Sequence, residues 1–271
     1  MPRIFPLCFT LLLSIFVTAS ARAIEVRIGS KGINAVVLEA IKAMPLEGTY
    51  AATSVAQQAL AGAITRIPGG LAINGQSACP SFCSSATYLV FVRTLQELVA
   101  DGALQLDNKT LDALLVHGQR DGEGAWGRWN ANGPGTARLF SELDLGPNFT
   151  SFDQALPGDF MKIFWTSEIG ARERGHSVIY LGTETVAGVE QIRFWSSNQP
   201  RGYGIKNVPR SKIVRAIFSR LERPANLSRL GVIPSTDAYL ASLLKVRSTP
   251  LQMGEKCNLS EERVKIGPGS R

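Results

Sequence analysis

Residues 74–99 of this 271-residue chain read NGQSACPSFCSSATYLVFVRTLQELV, and this stretch decides the fold. A loop rich in small and polar residues, including Pro80, gives way at Cys83 to an almost unbroken apolar run. From Phe82 onward apolar residues recur at helical spacing, and further apolar side chains fill most of the other faces. This pattern predicts a central helix that is buried nearly all round, begins at Cys83 and is ended by Gly102.

The predicted position of Cys83 makes it a candidate nucleophile. Backbone N–H groups at a helix start have no partner within the helix and favour negative charge, so a thiolate placed there is stabilised. The alternative is a buried structural cysteine, which is a common fate of free cysteines. We favour the nucleophile because of the helix-start position and the cysteine count described below.

Residues 1–23 have the pattern of a targeting segment. Arg3 supplies the positive start, residues 9–17 are apolar, and residues 21–23 form a small-residue cleavage pattern. We expect cleavage after Ala23 and a periplasmic or secreted mature protein. No later run approaches the roughly 20 apolar residues of a membrane span, so no transmembrane segment is expected.

Helical patterns precede extended ones along the chain. Apolar spacing predicts helices at 34–44, 53–64 and 83–99, followed by strands at 160–165, 175–182 and 189–195 with a hairpin turn at 187–188. This order predicts an α+β fold. We expect one domain at 24–248 and a polar C-terminal tail at 249–271. Further helices are predicted at 213–221 and 236–246, and a long glycine-rich loop is predicted at 118–148, a length typical of loops that line a site.

The formal net charge is +7, and the basic residues are concentrated toward the C-terminal half. In an exported protein this charge favours an anionic envelope polymer or a lipid surface over nucleic acid. A solvated basic face that aids solubility explains the same charge equally well.

Of the four cysteines, Cys8 leaves with the targeting segment, so an odd number remains. A pair between Cys79 and Cys257 would join the tail to the loop before the central helix and leave Cys83 free. A disulfide between Cys79 and Cys83 would instead make the Cys83 thiol unavailable as a nucleophile. We favour the long-range pair because it closes a long loop and restricts the unfolded chain more.

A thiol nucleophile needs a base, and the base needs a third group that fixes its tautomer. His176 opens a predicted strand after a polar loop and is the preferred base, with His117 as the reserve. Asn198 follows the next predicted strand and is the candidate for orienting the imidazole, although asparagine is also a common turn residue. Asp159 is expected to shape a turn rather than to take part in chemistry.

The chain resembles the NlpC and CHAP groups of papain-like cell-wall cysteine peptidases and amidases. The resemblance is carried by the cysteine at the head of a buried helix, the Pro157-Gly158-Asp159 turn before a strand, and the GHSVIYLG strand at 175–182, and it covers roughly residues 69–198. It implies a papain-like fold in which Cys83 attacks an amide carbonyl, His176 is the base and Asn198 orients it. By similarity to papain, Gln76 is expected to donate to the oxyanion.

Three features depart from the family pattern: Phe82 precedes the nucleophile, Cys79 is an additional cysteine, and the predicted loop is rich in tryptophan. Trp126 and Trp129 are candidates for stacking on a sugar or peptide, or for packing as hydrophobic anchors.

The resemblance implies an exported hydrolase that cleaves amide bonds in peptidoglycan, as a stem-peptide endopeptidase or an amidase. The alternatives are a catalytically silent envelope-binding or regulatory module and a transglutaminase-like acyl transferase. No metal site is expected, because the histidines and cysteines lack ligand spacing. No cofactor is expected, since no phosphate-binding glycine motif follows a strand, and an exported protein is not expected to bind nucleic acid. The sequence does not identify any immunity or activator protein.

Overall fold

The computed structural model describes residues 32–259. The predicted targeting segment at 1–23 and residues 260–271 of the predicted tail lie outside the described residues. The described chain combines helices with antiparallel strands, as the α+β prediction requires.

The elements follow the chain in this order. The helices are α1 (residues 32–42), α2 (Ser54–Ala63), α3 (Cys83–Ala100), α4 (Asn108–Ala113), α5 (Gly124–Asn130), α6 (Gly135–Leu143), α7 (Ala238–Ser242) and α8 (Pro250–Lys256). The strands are β1 (Glu47–Gly48), β2 (Ile64–Ile67), β3 (Gly70–Ile73), β4 (Asn148–Phe149), β5 (Phe160–Phe164), β6 (Gly175–Val186), β7 (Val189–Asn198), β8 (Gly202–Pro209) and β9 (Arg215–Ser219).

Seven of the described strands form one sheet in the order β1-β8-β7-β6-β5-β9-β4, and each neighbouring pair is antiparallel. Strands β2 and β3 form a separate hairpin. The long β6–β7 hairpin turns at Ala187 and Gly188, which both have positive φ, and this confirms the predicted turn. Because β6 and β7 are joined this way, the start of β6 lies beside the end of β7.

Both faces of the sheet are covered. Phe160, Ile179 and Trp195 belong to the larger core cluster around α3, whereas the adjacent residues Met161 and Val178 belong to a second cluster. Successive side chains of a strand point to opposite faces, so the two clusters lie on opposite sides of the sheet.

Helix α3 lies in the larger core, and most of its side chains are buried. It packs against β6, β7 and α5. Aromatic rings fill this interface: the Phe91 ring stacks on Trp129 with centroids 4.7 Å apart, and Tyr88 meets Trp126 at 5.1 Å. The prediction of a buried central helix that begins at Cys83 is confirmed.

The predicted helix at 213–221 is wrong, because this stretch contains strand β9. Strand β9 lies inside the sheet between β5 and β4, and its residues Ala216, Ile217 and Phe218 are all buried. A strand that is covered on both faces is a short apolar run without alternation, and periodicity alone does not distinguish it from a buried helix.

The predicted long loop at 118–148 is also wrong, because it contains α5 and α6. Its glycines serve close packing: a Cβ atom at Gly127 would overlap the carbonyl oxygen of Arg120. The fully buried Arg128 ties the segment together, pairing with Glu142 at 2.7 Å and donating to the carbonyl oxygen of Pro234 at 2.7 Å.

The C-terminal residues up to 259 are part of the folded body rather than a separate tail. Helix α8 buries Met253, and this residue joins Cys257 and Leu259 in an apolar cluster with Phe164 and Ile217. The described part of the predicted tail, residues 249–259, therefore packs on the rest of the fold.

Neither predicted disulfide is present. Within residues 32–259, Cys79, Cys83 and Cys257 are all free thiols. Cys257 is buried in the cluster beside α8, whereas Cys79 packs against the larger core around α3. Residues 257–259 are thus held to the fold by apolar packing, and not by the predicted disulfide between Cys79 and Cys257.

Truncation of Trp126 tests whether this side chain is part of the core. Trp126→Ala is expected to lower the free energy of unfolding by about 3–5 kcal/mol, because the fully buried ring leaves a cavity. Denaturant titration measures the change. The control Val232→Ala, at a position that is 80% exposed, should stay within about 0.5 kcal/mol of wild type. Unchanged stability of Trp126→Ala would contradict the core assignment.

Candidate active site

Cys83 is the first residue of α3, and a local hydrogen-bond pair fixes the start of the helix. The backbone N–H of Phe82, in extended conformation, donates to the Ser85 hydroxyl at 2.9 Å, and that hydroxyl donates to the Phe82 carbonyl at 2.8 Å. The sulfur therefore lies at the positive end of an 18-residue helix, where a thiolate is favoured.

His176, the second residue of β6, lies beside Cys83, and its interaction with the sulfur lowers the pKa of the Cys83 thiol. Its Nε2 atom lies 3.1 Å from Oδ1 of Asn198, the last residue of β7. The Asn198 amide nitrogen donates to the carbonyl oxygens of Ser196 at 3.0 Å and Gly204 at 2.9 Å. These two bonds fix the amide so that Oδ1 accepts, which assigns the proton to Nε2 and leaves Nδ1 for the sulfur. The structure thus brings Cys83, His176 and Asn198 together in the predicted order.

The surroundings of Cys83 favour its ionised form. Burial by itself raises the pKa of the Cys83 thiol, but the hydrogen bond and charge of His176, the backbone N–H of Ser177 and the charge of Lys162 outweigh burial and lower the pKa to about 7. A substantial fraction of thiolate is therefore present at neutral pH.

Tyr50 is a site residue that the sequence analysis missed. It lines the cleft beside Cys83, and burial, together with the charge and hydrogen bonding of Cys83, raises the pKa of Tyr50 to about 12. The backbone of Tyr50 is fixed beside the cleft by a short parallel bridge to Ser81 and by a hydrogen bond from its N–H to the Pro200 carbonyl (3.0 Å). No periodic pattern or motif marks Tyr50, since its position depends on these long-range backbone pairings.

A cleft of about 620 Å³ opens beside Cys83. One wall consists of Tyr50 and the start of α2, and the opposite wall comes from the 129–136 segment between and within α5 and α6. Three charged side chains line the cleft: Asp121, Lys162 and Glu173. The predicted long loop therefore does line the site, although it does so as two short helices.

Asn130 contributes an oriented amide to this cleft. The Ser84 hydroxyl, next to the nucleophile, donates to Asn130 Oδ1 at 2.6 Å. The Asn130 Nδ2 group is then the end that remains to donate toward a ligand in the cleft.

The remaining predicted site residues lie elsewhere. Gln76 is exposed in a short 3₁₀ turn, Gly75–Ser77, and does not line the cleft, so its predicted oxyanion role is wrong.

Trp126 is fully buried in the core. Trp129 borders the cleft with only 2% of its surface exposed, and its indole N–H donates to the Thr87 hydroxyl at 3.1 Å. Both tryptophans pack as anchors rather than as stacking platforms. His117 is exposed and does not line the cleft.

Asp159 has the structural role that the sequence predicted. Its carboxylate accepts from the Leu156 N–H at 2.8 Å and pairs with Arg220 at 2.8 Å, which closes the turn before β5.

Within residues 32–259, no group of three His, Cys, Asp or Glu side chains is placed to hold a metal ion. None of the described helices has both the length and the apolar character needed to cross a bilayer.

Comparison of the chain with protein-family models, with curated proteins and with solved structures gives no match. The assignment of the site therefore depends on its geometry and chemistry.

The pH dependence of alkylation tests the ionisation of Cys83. The rate of iodoacetamide labelling is expected to rise with pH through a midpoint near 7, below the ordinary thiol value of 9.0, because the thiolate is the reactive species. Mass spectrometry of the Cys83 peptide measures the rate.

His176→Ala should move the midpoint upward, because it removes the hydrogen bond and the charge that lower the pKa. Cys79 is the internal control: burial raises the pKa of its thiol, so it should react only at higher pH. Coincident profiles for Cys79 and Cys83 would contradict the assignment.

Proposed function

We propose that this protein is a papain-like cysteine hydrolase that cleaves amide bonds. The observation that carries the proposal is the convergence of three residues: Cys83 lines a cleft, His176 acts on its thiol, and Nε2 of His176 lies 3.1 Å from Asn198 Oδ1. A thiol at a helix start, an imidazole on one strand and an asparagine on its neighbour supply the nucleophile, the base and the orienting group that acyl transfer requires. The α3 helix packed on an antiparallel sheet agrees with this proposal.

In the proposed reaction, the Cys83 thiolate attacks the amide carbonyl carbon and forms a tetrahedral oxyanion. The backbone N–H of Cys83 and the Asn130 amide are the proposed donors to that oxyanion, and Asn130 takes the role that the sequence analysis gave to Gln76. The carbon–nitrogen bond then breaks, protonated His176 gives its proton to the leaving amine, and the acyl group remains on Cys83 as a thioester.

Water completes the reaction. His176 accepts a proton from the attacking water, the carbon–sulfur bond breaks, and the carboxylic acid product leaves while Cys83 returns to the thiolate. The hydrogen bond from His176 Nε2 to Asn198 keeps the ring oriented through both proton transfers.

The proposed substrate is peptidoglycan, cut within the stem peptide or at the sugar–peptide junction. Three features support this substrate: the resemblance of residues 69–198 to cell-wall hydrolases, the expected export, and a positive net charge that favours an anionic polymer. This charge is +7 for the whole chain and +5 without Arg3 and Arg22 of the expected targeting segment. The largely polar residues around the cleft are suited to a hydrated peptide rather than to a lipid chain.

Muropeptide digestion followed by mass spectrometry tests the proposal. We expect new amine and carboxylate termini with wild type and none with Cys83→Ala, because no other group replaces the thiolate. The matched control Cys79→Ala removes a thiol four positions away and should retain turnover.

Turnover that survives Cys83→Ala would remove the hydrolase proposal. Binding without turnover would favour a silent envelope-binding module, and incorporation of an added amine would favour a transglutaminase-like acyl transferase.

Replacement of Asn130 tests the oxyanion assignment. Asn130→Ala is expected to lower kcat by about 10²-fold to 10³-fold with little change in KM, because the amide acts mainly on the transition state. Gln76→Ala is the control and should leave both constants at wild-type values, since Gln76 does not line the cleft. A rise in KM alone for Asn130→Ala would assign this residue to substrate binding instead.

A further inference from the structure

Strand β8 forms an edge of the sheet over most of its length. On one side it pairs with β7 along all eight of its residues, Gly202–Pro209. On the other side the short strand β1 covers only two of them, Gly202 and Tyr203. Within residues 32–259, the remaining residues 204–209 therefore have no strand beside them on the outer side.

The register shows which backbone groups of β8 point outward. The Thr49 N–H donates to the Arg201 carbonyl at 2.8 Å, so the backbone of Arg201 is directed to the outer side. Alternate residues of an antiparallel strand direct their N–H and C=O groups to the same side, so those of Ile205 and Asn207 also point outward. None of these four groups has a hydrogen-bond partner among residues 32–259. They form an open template for a further strand.

A groove of about 590 Å³ lies at this edge. Two apolar side chains of its lining are largely exposed, Leu46 at 83% and Ile205 at 54%. The charged side chains of the lining are Arg201, Lys206 and Glu47, and neither basic side chain has an ion-pair partner within the described part of the chain. The groove thus combines exposed apolar surface with a net positive charge, which favours an occupant that carries carboxylates.

A second copy of the chain fits this edge poorly. Two-fold pairing that used all four outward groups would place Ile205 opposite the Asn207 position of the copy. Lys206 would then lie directly opposite its own counterpart, and like charges in that arrangement are destabilising. Lysine on an edge strand is a common protection against self-association. A carboxylate opposite Lys206 would instead be favourable.

The two faces of β8 define the side chains that an added strand should carry. Lys206 is paired with Phe194 and Ile205 with Trp195, and these two aromatic residues belong to the core clusters on opposite faces of the sheet. In an added antiparallel strand, the residue opposite Lys206 shares its face, and the residues opposite Ile205 and Asn207 share the other face. The complementary sequence therefore alternates acidic and apolar residues.

We propose that the outer edge of β8 is a docking site for an extended acidic segment of a partner protein, which adds to the sheet as an antiparallel strand. Backbone hydrogen bonds to Ile205 and Asn207 supply affinity, and the charge of Lys206 selects acidic segments. No residue of β8 lines the cleft beside Cys83, so this site is separate from the proposed active site and does not depend on the hydrolase function.

Fluorescence polarisation with labelled peptides tests the proposal on the intact protein. The probe is the pentapeptide Val-Glu-Val-Glu-Val, and its charge control carries lysine in place of both glutamates. We expect roughly tenfold tighter binding of the glutamate peptide, because it meets attraction at Lys206 where the lysine peptide meets repulsion. Equal dissociation constants, or no binding of either peptide, would overturn the proposal.

N-methylation of the probe distinguishes strand addition from simple charge attraction. The valines would lie opposite Ile205 and Asn207 and direct their N–H groups toward β8, whereas the glutamate N–H groups would point away. N-methylation of the valines should therefore weaken binding roughly tenfold or more, and N-methylation of the glutamates should change it by less than about twofold. Equal effects of the two modifications would show that no strand is added.

Replacement of Asn207 tests the same bond from the side of the protein. Asn207→Pro removes one outward N–H group, and proline is tolerated on an edge strand where this group faces solvent. The matched control Asn207→Ala keeps the N–H group and, like Asn207→Pro, loses the side-chain hydrogen bond to Glu184. Affinity for the probe should fall roughly tenfold in Asn207→Pro and stay near wild type in Asn207→Ala. Equal affinities of the two variants would contradict the docking site.

Two further measurements test the choice of occupant. Lys206→Glu should reverse the preference between the two charged peptides, whereas the control Lys212→Glu changes an exposed lysine outside the groove and should preserve it. Sedimentation of the protein alone tests for a second copy. A dimer that Asn207→Pro dissociates would assign the edge to self-association and overturn the proposal of an acidic partner.

Discussion

The packing of α3 against the sheet is the interaction on which the rest of the structure depends. The helix is covered by β6 and β7 on one side and by the aromatic residues of α5 on another. Close-packed interiors tolerate little displacement, so burial along the helix fixes the position of its first residue. Cys83 is consequently held beside the start of β6, where His176 lies, rather than carried on a mobile loop. The same apolar contacts that stabilise the fold therefore set the geometry of the site.

A buried polar network links this core to the far wall of the cleft. Arg128 pairs with Glu142, and Arg138 pairs with both Glu142 and Asp237. Removal of one partner from such a buried pair typically costs about 3–5 kcal/mol, because the remaining charge is left uncompensated. Arg128 also donates to the carbonyl oxygens of Gly122 and Gly124, just before and at the start of α5. The segment that lacks a repeating apolar pattern is thus ordered by hydrogen bonds, and it places Asn130 and Asp121 around the nucleophile.

The site is built from four distant parts of the chain, each with a separate electrostatic task. The helix start and His176 favour the thiolate of Cys83, while Asn198 fixes the tautomer of the imidazole. Tyr50 lies beside the same sulfur, and the interaction with Cys83 contributes to the raised pKa of Tyr50. These contacts order the polar groups before any substrate is present, and preorganisation of this kind is the main way in which a site stabilises developing charge.

The sequence by itself determined the buried helix at Cys83, the β6–β7 hairpin and the pairing of His176 with Asn198. These features depend on local periodicity and turn chemistry, which a single segment carries. The sequence failed where the outcome depends on distant neighbours. Strand β9 resembled a helix because the sheet buries both of its faces. The segment of α5 and α6 resembled a loop because it is rich in glycine, and only the folded chain shows that these glycines allow close packing against backbone atoms. Only the tertiary structure decided that Tyr50 and Asp121 belong to the cleft and that Gln76 does not, because long-range backbone bonds and buried charges set those positions.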